Sequence, residues 1–325
     1  MREIPPPPPL LKGGLEGLGH FGRILIMSSQ EMKEMERRFP EEEYFMSGHL
    51  ACSGCGATIG MRYALKALGE ETIVVIPACC WSMIAGVFPY SSLKVPVYHV
   101  AFETAASTAT GVKAGLEMKG DATTTVLAWA GDGGTFDIGL QALSGAAERN
   151  EDFIYVCYDN EAYMNTGVQR SSATPFLTWT TTTPAHQAKE EAKKNIMEIM
   201  AAHRIPYAAT ASVAYPEDFF NKIKKAKEIK GLKFIHILST CPTGWRLPTQ
   251  LSIKAARLAV LTRIFPLYEI AYGEKYTLGV KPEFHSVQEY LKLQGRFSHL
   301  NDSEIEVIQE NVEKAWVRLV KKAEA

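Results

Sequence analysis

Segments with helix-like and strand-like hydrophobic patterns alternate along the chain from residue 56 to about residue 265. Short β-branched or apolar runs have the length of strands, and the longer periodic segments between them have the length of helices. The predicted strands cover residues 72–76, 95–102, 123–130, 153–158, 207–212 and 234–239, and the predicted helices cover residues 57–68, 104–118, 138–149, 190–203, 216–230, 251–264 and 303–325. This alternation predicts an α/β fold with a doubly wound, mostly parallel sheet and helices on both faces.

The pattern divides the chain into three parts. Residues 44–265 are predicted to form the α/β domain, and residues 266–325 a C-terminal extension whose helix packs on that domain or on a partner subunit. Residues 1–43 are predicted to be a disordered extension, because they contain a run of five prolines, and polyproline has no internal hydrogen bonds. Met27 and Met32 are alternative starts, so the sequence leaves open whether residues 1–30 belong to the native protein.

Composition and charge argue against several classes of function. A hydrophobic content of 46% and a charged content of 22% are ordinary for a soluble enzyme. A net charge of −1 and a pI near 6.7 give no basic surface for nucleic acid, and no apolar run reaches the roughly 18 residues that span a membrane. The apolar stretch 24–27 is too short for a signal-peptide core, so we expect a cytoplasmic protein with reduced cysteines.

A glycine-rich acidic turn directly follows the predicted strand 123–130. The turn is Gly131-Asp132-Gly133-Gly134, and Asn160 lies one strand–helix unit later, with 26 residues between Gly133 and Asn160. This order and spacing match the motif that binds thiamine diphosphate through a magnesium ion. Glycines let a backbone approach phosphates without Cβ clashes, and the helix that we expect near residue 137 offers free N–H groups to an anion.

Magnesium prefers oxygen ligands in octahedral geometry and binds few protein groups besides substrate phosphates. Asp132 would supply a carboxylate oxygen, Asn160 an amide oxygen and Ala162 a backbone carbonyl. The segments 131–135, 159–167 and 240–246 each follow a predicted strand. Because ligands of such sheets bind at the carboxyl ends of strands, we expect one shared site there.

Four of the six cysteines have the spacing of a metal or iron–sulfur site. Cys52 and Cys55 form a close pair in a glycine-rich loop. Cys80 follows after 24 intervening residues and Cys241 after a further 160, both at predicted strand ends. Four thiolates fit either a [4Fe–4S] cluster or a structural zinc ion. Zinc sites usually contain a second close pair, so the spacing favours iron–sulfur.

Two further cysteines need separate interpretations. Cys79 competes with Cys80 for the third position, because adjacent residues of an extended chain point to opposite faces. Cys157 lies in the middle of a predicted strand and is expected to be a small buried apolar residue.

The segments around both motifs resemble the β subunits of pyruvate:ferredoxin oxidoreductase and its branched-chain 2-oxoacid relatives. The resemblance runs from about residue 48 to residue 245 and more weakly to residue 300. The segments that carry it are GHLACSGCG at 48–56, GDGGTFDIGLQALSG at 131–145, YDNEAYMNTG at 158–167, QRSS at 169–172 and TCPTGW at 240–245.

The resemblance implies specific roles for residues. It implies that magnesium and thiamine diphosphate are held by Gly131, Asp132, Gly133, Gly134, Asn160 and the Ala162 carbonyl, and a [4Fe–4S] cluster by Cys52, Cys55, Cys80 and Cys241. Asn165 would reach toward the reacting carbon. The alternative for Asn165 is a side-chain cap of the turn that precedes Thr166-Gly167.

The reaction implied by the resemblance is oxidative decarboxylation of pyruvate, with coenzyme A taking the acyl group and ferredoxin the electrons. In that family a partner subunit contributes the glutamate that activates thiamine, and a small ferredoxin-like subunit carries further clusters. We therefore expect α-, γ- and δ-type partner subunits and an obligate hetero-oligomer. The physiological direction and the subunit stoichiometry stay open.

Three alternatives also stay open. The segments 76–80 and 203–207 resemble branched-chain members as much as pyruvate members, so the substrate could be 2-oxoisovalerate, and 2-oxoglutarate or oxalate are further candidates. A second alternative is a non-redox thiamine diphosphate enzyme subunit whose cysteines bind zinc. A binding or scaffold role with a degenerate site is disfavoured, because Asp132, Asn160 and the four cysteines are all present.

Overall fold

A mixed sheet of eight strands organises residues 39–325, the part of the chain that this computed structural model describes. The strands are β1 Thr72–Pro77, β2 Val97–Val100, β3 Thr125–Gly131, β4 Ile154–Asp159, β5 Tyr207–Ser212, β6 Lys233–Leu238, β7 Tyr268–Ala271 and β8 Lys275–Leu278. Their order is β2-β1-β3-β4-β6-β5-β7-β8. Strands β1 to β6 pair in parallel, and β7 and β8 add antiparallel pairs at one edge, which confirms the predicted mostly parallel sheet.

Helices cover both faces of this sheet. The helices of the described residues are α1 Gly56–Leu68, α2 Cys80–Ala85, α3 Ala105–Met118, α4 Leu140–Glu148, α5 Ile196–Ala202, α6 Pro216–Glu228, α7 Pro242–Trp245, α8 Ser252–Leu261, α9 Val287–Leu291 and α10 Asp302–Glu324. Residues of α1, α2 and α6 share one apolar core with the sheet, and residues of α3, α4 and α5 share another. The sheet is therefore doubly wound, as predicted.

The strand residues explain why both faces are covered. In β3, Leu127 and Trp129 belong to the first core, whereas Val126, Ala128 and Ala130 belong to the second. Successive side chains of a strand point to opposite faces, so a strand that is apolar throughout must be buried on both sides. Trp129 is fully buried, and truncating a buried tryptophan typically costs about 3–5 kcal/mol of stability.

Helix α5 is shorter than the sequence pattern predicted. The prediction began at residue 190, but the helix begins at Ile196. The ammonium group of Lys189 donates hydrogen bonds to the carbonyls of Glu191, at 2.7 Å, and Ala192, at 3.1 Å. These carbonyls therefore accept hydrogen bonds from a side chain instead of from a helical backbone N–H. Asn195 caps the first turn of the helix that follows.

The C-terminal residues extend the same sheet. Strand β7 pairs with β5, and β8 pairs with β7, so residues of the predicted C-terminal extension continue the sheet of the α/β domain. Residues 43–325 form one compact unit. The predicted disorder of the N-terminal extension falls, up to residue 38, outside the described residues. Within residues 39–325, no helix has both the length and the apolar character needed to cross a membrane.

Candidate functional site

Four neighbouring parallel strands end at one edge of the sheet and lead into the segments that carry the motifs. The strands are β1, β3, β4 and β6, which are adjacent in the sheet. Gly131 at the end of β3 is in register with Tyr158, and Asp159 at the end of β4 is in register with Leu238. The fold thus brings the glycine turn, residues 159–167 (the Asn160 loop) and the two later cysteine segments to the same edge.

The three predicted magnesium ligands converge at this edge. One end of the Asn160 side-chain amide lies 3.0 Å from the Ala162 carbonyl oxygen and 3.0 Å from Asp132 Oδ1. All three residues are buried. The Ser171 hydroxyl donates a hydrogen bond of 2.5 Å to the other carboxylate oxygen, Asp132 Oδ2.

This geometry fits a magnesium ion. Magnesium–oxygen distances are about 2.1 Å, so oxygens on adjacent corners of an octahedron are about 3.0 Å apart. Burial, and then the nearby Asp159 carboxylate, raise the pKa of Asp132 well above its ordinary value. A cation at the convergence point would offset both effects and favour the charged carboxylate. With the amide nitrogen turned inward instead, Asn160 donates to both oxygens.

Glu161, between the two ligands of this loop, has a left-handed backbone. Its φ is +70°, a conformation that costs a non-glycine residue about 1–2 kcal/mol. Its N–H donates to Asp159 Oδ1 at 2.9 Å, and its carbonyl accepts a 2.7 Å hydrogen bond from the Thr174 hydroxyl. These bonds hold the turn that directs the Asn160 side chain and the Ala162 carbonyl toward Asp132.

A buried ionic network lies against this loop. Lys193 Nζ is 2.5 Å from Asp159 Oδ2 and 2.9 Å from Glu161 Oε1. His236 Nε2 is 2.7 Å from Asp159 Oδ2, and Arg296 Nη2 donates to Glu161 Oε2 at 2.5 Å. Each buried carboxylate therefore has at least one cationic or hydrogen-bonding partner, as burial of a charge requires.

The network shifts the pKa values of its members. Burial alone would raise the pKa of Asp159, but Lys193 and His236 lower it to about 2. Burial would likewise lower the pKa of Lys193, but Asp159 and Glu161 raise it above its ordinary value. Burial lowers the pKa of His236, which keeps the imidazole neutral near pH 7.

The glycine turn packs closely on an aromatic ring of the Asn160 loop. A Cβ atom on Gly133 would lie 2.1 Å from a ring carbon of Tyr163, so no larger residue fits without displacing that ring. The Tyr163 hydroxyl donates a 2.6 Å hydrogen bond to Asp137 Oδ2, which fixes the ring. The helical segment also begins earlier than the predicted residue 138, because a π-helical turn at Gly133–Asp137 precedes α4.

Asn165 is exposed on the loop between Tyr163 and Gln169. Tyr163 and Gln169 exchange two backbone hydrogen bonds, of 2.9 and 3.2 Å, and Thr166 donates to the Gln169 side chain at 2.6 Å. Within the described residues, the Asn165 side chain forms no hydrogen bond. The turn is therefore closed by Thr166 and Gln169, and the capping interpretation of Asn165 has no support.

The Cys52–Cys55 loop packs against the segment that precedes Cys241. The Gly56 N–H donates to the Thr240 carbonyl at 2.9 Å, and a Cβ on Gly56 would lie 2.7 Å from the Thr240 hydroxyl. The Ser252 hydroxyl donates to the Gly54 carbonyl at 2.7 Å. Two cysteine segments that are far apart in the sequence are thus joined by backbone contacts.

Cys80 occupies the first position of α2, not the strand end that the sequence pattern predicted, because β1 ends at Pro77. Burial, and then the thiols of Cys79, Cys241, Cys55 and Cys52, raise the pKa of Cys80. Burial and the neighbouring thiols also raise the pKa of Cys241, to about 11. The thiols of Cys52, Cys55 and Cys241 are therefore close enough to Cys80 to influence its ionisation.

Cys79 has different partners. Burial raises the pKa of Cys79, and hydrogen bonds from the Tyr158 hydroxyl and from Trp81 and Ser82 partly oppose this. Cys79 also forms a capping box with Ser82 at the start of α2. These contacts favour Cys80 as the residue that faces the other cysteines. Within residues 39–325, no three His, Cys, Asp or Glu side chains are arranged to hold a metal ion as they stand. Cys157 is buried in β4, as predicted.

Trp245 connects the cysteine segment to the Asn160 loop. Its indole N–H donates a 2.8 Å hydrogen bond to the Asn160 carbonyl, and its backbone N–H donates to the Cys241 carbonyl at 2.8 Å. Met164, two residues beyond Ala162, and Cys241 both lie against Gly244, where a Cβ would be 2.2 Å from Met164 Sδ and 3.5 Å from Cys241 Sγ. The two candidate sites therefore belong to one contiguous structure.

Comparisons with known proteins identify the family of this chain. Residues 78–237 match the family described as thiamine pyrophosphate enzyme, C-terminal TPP binding domain. The chain is 53% identical over 305 residues to the ketoisovalerate oxidoreductase subunit VorB of Pyrococcus horikoshii, covering 90% of this chain and 98% of that protein. This chain belongs to the β subunits of the 2-oxoacid:ferredoxin oxidoreductases. The β subunit is also 49% identical over 288 residues to the pyruvate synthase subunit PorB of Methanocaldococcus jannaschii, covering 85% of this chain and 96% of that protein.

A solved structure supports the fold. The 2-oxoglutarate:ferredoxin oxidoreductase from Magnetococcus marinus superimposes with a TM-score of 0.54 and 24% identity, over 68% of the β subunit and 82% of that chain.

Several residues of the site were not predicted from the sequence. Ser171, which bonds Asp132, lies in the QRSS segment, but its spacing from Asp132 follows no general rule. Glu161, Lys193 and Arg296 are charged, and charged residues in a sequence normally indicate an exposed surface. The positive φ of Glu161 has no signal in its residue type either.

Proposed function

We propose that this β subunit holds thiamine diphosphate through a magnesium ion bound by Asp132, Asn160 and the Ala162 carbonyl, and that it takes part in the oxidative decarboxylation of pyruvate to acetyl-CoA. The observation that carries the proposal is that the Asn160 amide lies 3.0 Å from both the Ala162 carbonyl oxygen and Asp132 Oδ1, at the carboxyl ends of β3 and β4. The TPP-binding match over residues 78–237 supports the same cofactor.

Thiamine diphosphate, when bound, supplies the electron sink for cleavage of the bond between the 2-oxo carbon and the carboxylate. The residues of this chain bind and orient. Asp132 supplies negative charge to the cation, and Ser171 orients its carboxylate. Gly131, Gly133 and Gly134 let the backbone approach the diphosphate. Asn165, exposed on the loop that follows, is available to donate a hydrogen bond to a substrate oxygen.

The second part of the proposal is a [4Fe–4S] cluster held by Cys52, Cys55, Cys80 and Cys241. Support comes from the backbone contacts between the cysteine segments and from the mutual effect of these thiols on their pKa values. Each iron of such a cluster binds one cysteine, so its four sulfurs stand further apart than the four sulfurs around one zinc ion. The cluster would accept electrons one at a time and pass them toward ferredoxin.

The proposal includes α-, γ- and δ-type partner subunits, coenzyme A as the acyl acceptor and a cytoplasmic location. The two relatives named above are themselves named as subunits, which supports a multi-subunit enzyme. The β subunit expressed alone is expected to show no 2-oxoacid decarboxylation.

A branched-chain substrate, 2-oxoisovalerate, is the second candidate. Identity to the ketoisovalerate oxidoreductase subunit, 53%, exceeds identity to the pyruvate synthase subunit, 49%. The residues that decide between the two substrates would lie partly on partner subunits.

The test is anaerobic purification of the complex that contains this chain, followed by assays with pyruvate, 2-oxoisovalerate, 2-oxoglutarate and oxalate, each with coenzyme A and ferredoxin. We expect the highest kcat/KM with pyruvate. A higher kcat/KM with 2-oxoisovalerate would establish the second candidate instead. Iron and acid-labile sulfide analysis of the same sample tests the cluster, and zinc without sulfide would overturn the oxidoreductase proposal.

A further inference from the structure

Arg296 lies far along the chain from residues 160–162, which we call the magnesium loop, yet it is buried and bonded to that loop. Its guanidinium donates to Glu161 Oε2 at 2.5 Å and to the Gln294 side chain at 2.9 Å. The same guanidinium stacks over the Trp245 ring, 4.1 Å from its centre. A planar guanidinium can bind a carboxylate and stack on an aromatic ring simultaneously, which a lysine ammonium cannot do.

Two of these partners connect Arg296 to the magnesium loop. Glu161 is the left-handed residue between Asn160 and Ala162, with a φ of +70°. Trp245 donates to the carbonyl of Asn160 at 2.8 Å. Arg296 therefore contacts the loop through two partners: the Glu161 side chain, and Trp245, which bonds the carbonyl of the peptide that joins Asn160 to Glu161.

We propose that Arg296 and Glu161 are positioning residues that hold the left-handed turn of the magnesium loop, and so keep the Asn160 amide and the Ala162 carbonyl directed at Asp132. This inference rests on the proposed function, because the oxygens are directed at a cation only if the loop binds one. Lys193, 2.9 Å from Glu161 Oε1, holds the other carboxylate oxygen.

A left-handed backbone gives a specific way to test the role. Glycine adopts a positive φ without penalty, whereas alanine does not. Both Glu161→Gly and Glu161→Ala remove the carboxylate that Arg296 and Lys193 bind. If the carboxylate serves to hold the turn, glycine should retain magnesium binding better than alanine. If magnesium binding did not depend on the left-handed turn, the two variants would bind equally.

The measurement is the magnesium concentration that half-saturates thiamine diphosphate binding, determined by equilibrium dialysis on the full anaerobic complex. Loss of an outer partner of a metal ligand typically lowers affinity about 10- to 100-fold. We expect Arg296→Met to raise the half-saturating magnesium concentration within this range, and Arg296→Lys to raise it less. Glu161→Ala should raise it more than Glu161→Gly.

A matched control is available in the same C-terminal region. Arg263 also lies over a tryptophan, 5.0 Å from the Trp316 ring centre, and donates to the Pro282 carbonyl at 2.9 Å. Arg263→Lys should leave the magnesium dependence unchanged. A folded Arg296→Met variant with wild-type magnesium dependence, or equal binding by the two Glu161 variants, would overturn the positioning role.

The outcomes separate this inference from the proposed function. If Arg296→Met does not assemble, the comparison of Glu161→Gly with Glu161→Ala decides alone. If the wild-type complex bound no thiamine diphosphate at any magnesium concentration, the proposed function itself would fail. If the wild-type complex bound thiamine diphosphate and the variants showed the same magnesium dependence, only the positioning role would be contradicted.

Discussion

The magnesium loop and the cysteine segments lie at the same edge of the sheet but are held in different ways. Asp132, Asn160 and Glu161 are buried and bonded to side chains from several parts of the chain. The four candidate cluster cysteines are exposed or partly exposed, and backbone contacts hold their loops. A buried carboxylate needs partners before a cation arrives, whereas a thiol can remain protonated and neutral until metal displaces its proton.

The two sites should therefore form at different stages relative to metal binding. The magnesium loop should be formed before its cation binds, because hydrogen bonds and ion pairs within the protein already satisfy the buried polar groups of the loop. The cysteine site should become ordered together with the cluster, because metal binding and deprotonation are coupled. The predictions below test each half of this difference.

The largest effect is expected for Asp132→Ala. The carboxylate is the charged ligand of the proposed cation, so thiamine diphosphate binding should fall by more than about 100-fold, beyond the range for an outer partner. Isothermal titration calorimetry with magnesium and thiamine diphosphate measures this. Asp121→Ala is the control, because the Asp121 carboxylate accepts hydrogen bonds from Thr123 and Thr124 of its own turn. Unchanged binding by Asp132→Ala would show that the magnesium assignment is wrong.

The second effect concerns the cluster. Cys80→Ser and Cys241→Ser should each lose most of the visible absorption of the anaerobically purified complex, because each removes one of four ligands. Cys157→Ala should retain it, since Cys157 is buried in β4 on the face with α3 and α4. Cys79→Ser should also retain it. Loss of absorption in Cys79→Ser together with retention in Cys80→Ser would reverse the assignment of the third ligand.

Asp159→Asn should destabilise the buried network. It removes the charge that Lys193 and His236 bind, and breaking a buried pair typically costs about 3–5 kcal/mol. The folded pKa of Asp159, about 2, is below its ordinary value of 3.8, so the wild-type carboxylate stabilises the fold above pH 3.8 and loses this effect as the pH falls through 2.

Chemical denaturation of wild type and Asp159→Asn between pH 7 and pH 2 tests this sign. The difference in unfolding free energy should be largest near pH 7 and should narrow below pH 4. Glu310→Gln is the control, because its partner Lys314 is exposed and such surface pairs contribute about 0–1 kcal/mol. A difference that widens as the pH falls would refute the network as described.

The smallest effect is expected for Gly133→Ala. The new Cβ would meet the Tyr163 ring at 2.1 Å, so the ring must move and the diphosphate turn is disturbed. We expect about a 10-fold weaker binding of thiamine diphosphate, equivalent to about 1.4 kcal/mol. Gly111→Ala is the control, because a Cβ there meets nothing within 4 Å and alanine favours a helix interior. Equal binding by both variants would show that Tyr163 adapts freely.

Much of the fold followed from local patterns. The central strands are continuous apolar runs, and the predicted limits of β5, residues 207–212, coincide with the structure. Strands β7 and β8 were not predicted, because each has only four residues and only a partly buried alternation. Such short segments carry too little periodicity to distinguish them from loops.

The candidate site was predicted where its chemistry depends on residue type and spacing. Asp132, Asn160 and Ala162 follow β3 and β4, two adjacent strands whose carboxyl ends lie at the same edge of the sheet, so their convergence could be predicted. Arg296 could not, because its contact with Glu161 spans 135 residues and depends on how α9 and its flanking loops return to the sheet. In a sequence, a charged residue that will be buried cannot be distinguished from an exposed one until its partners are known.

The most direct test of the central claim is an anaerobic crystal structure of the complex with magnesium and thiamine diphosphate. The account predicts a cation about 2.1 Å from oxygens of Asp132, Asn160 and Ala162 and bonded to the diphosphate. A thiamine diphosphate molecule bound at another edge of the sheet, or a cation that none of these three residues contacts, would contradict it.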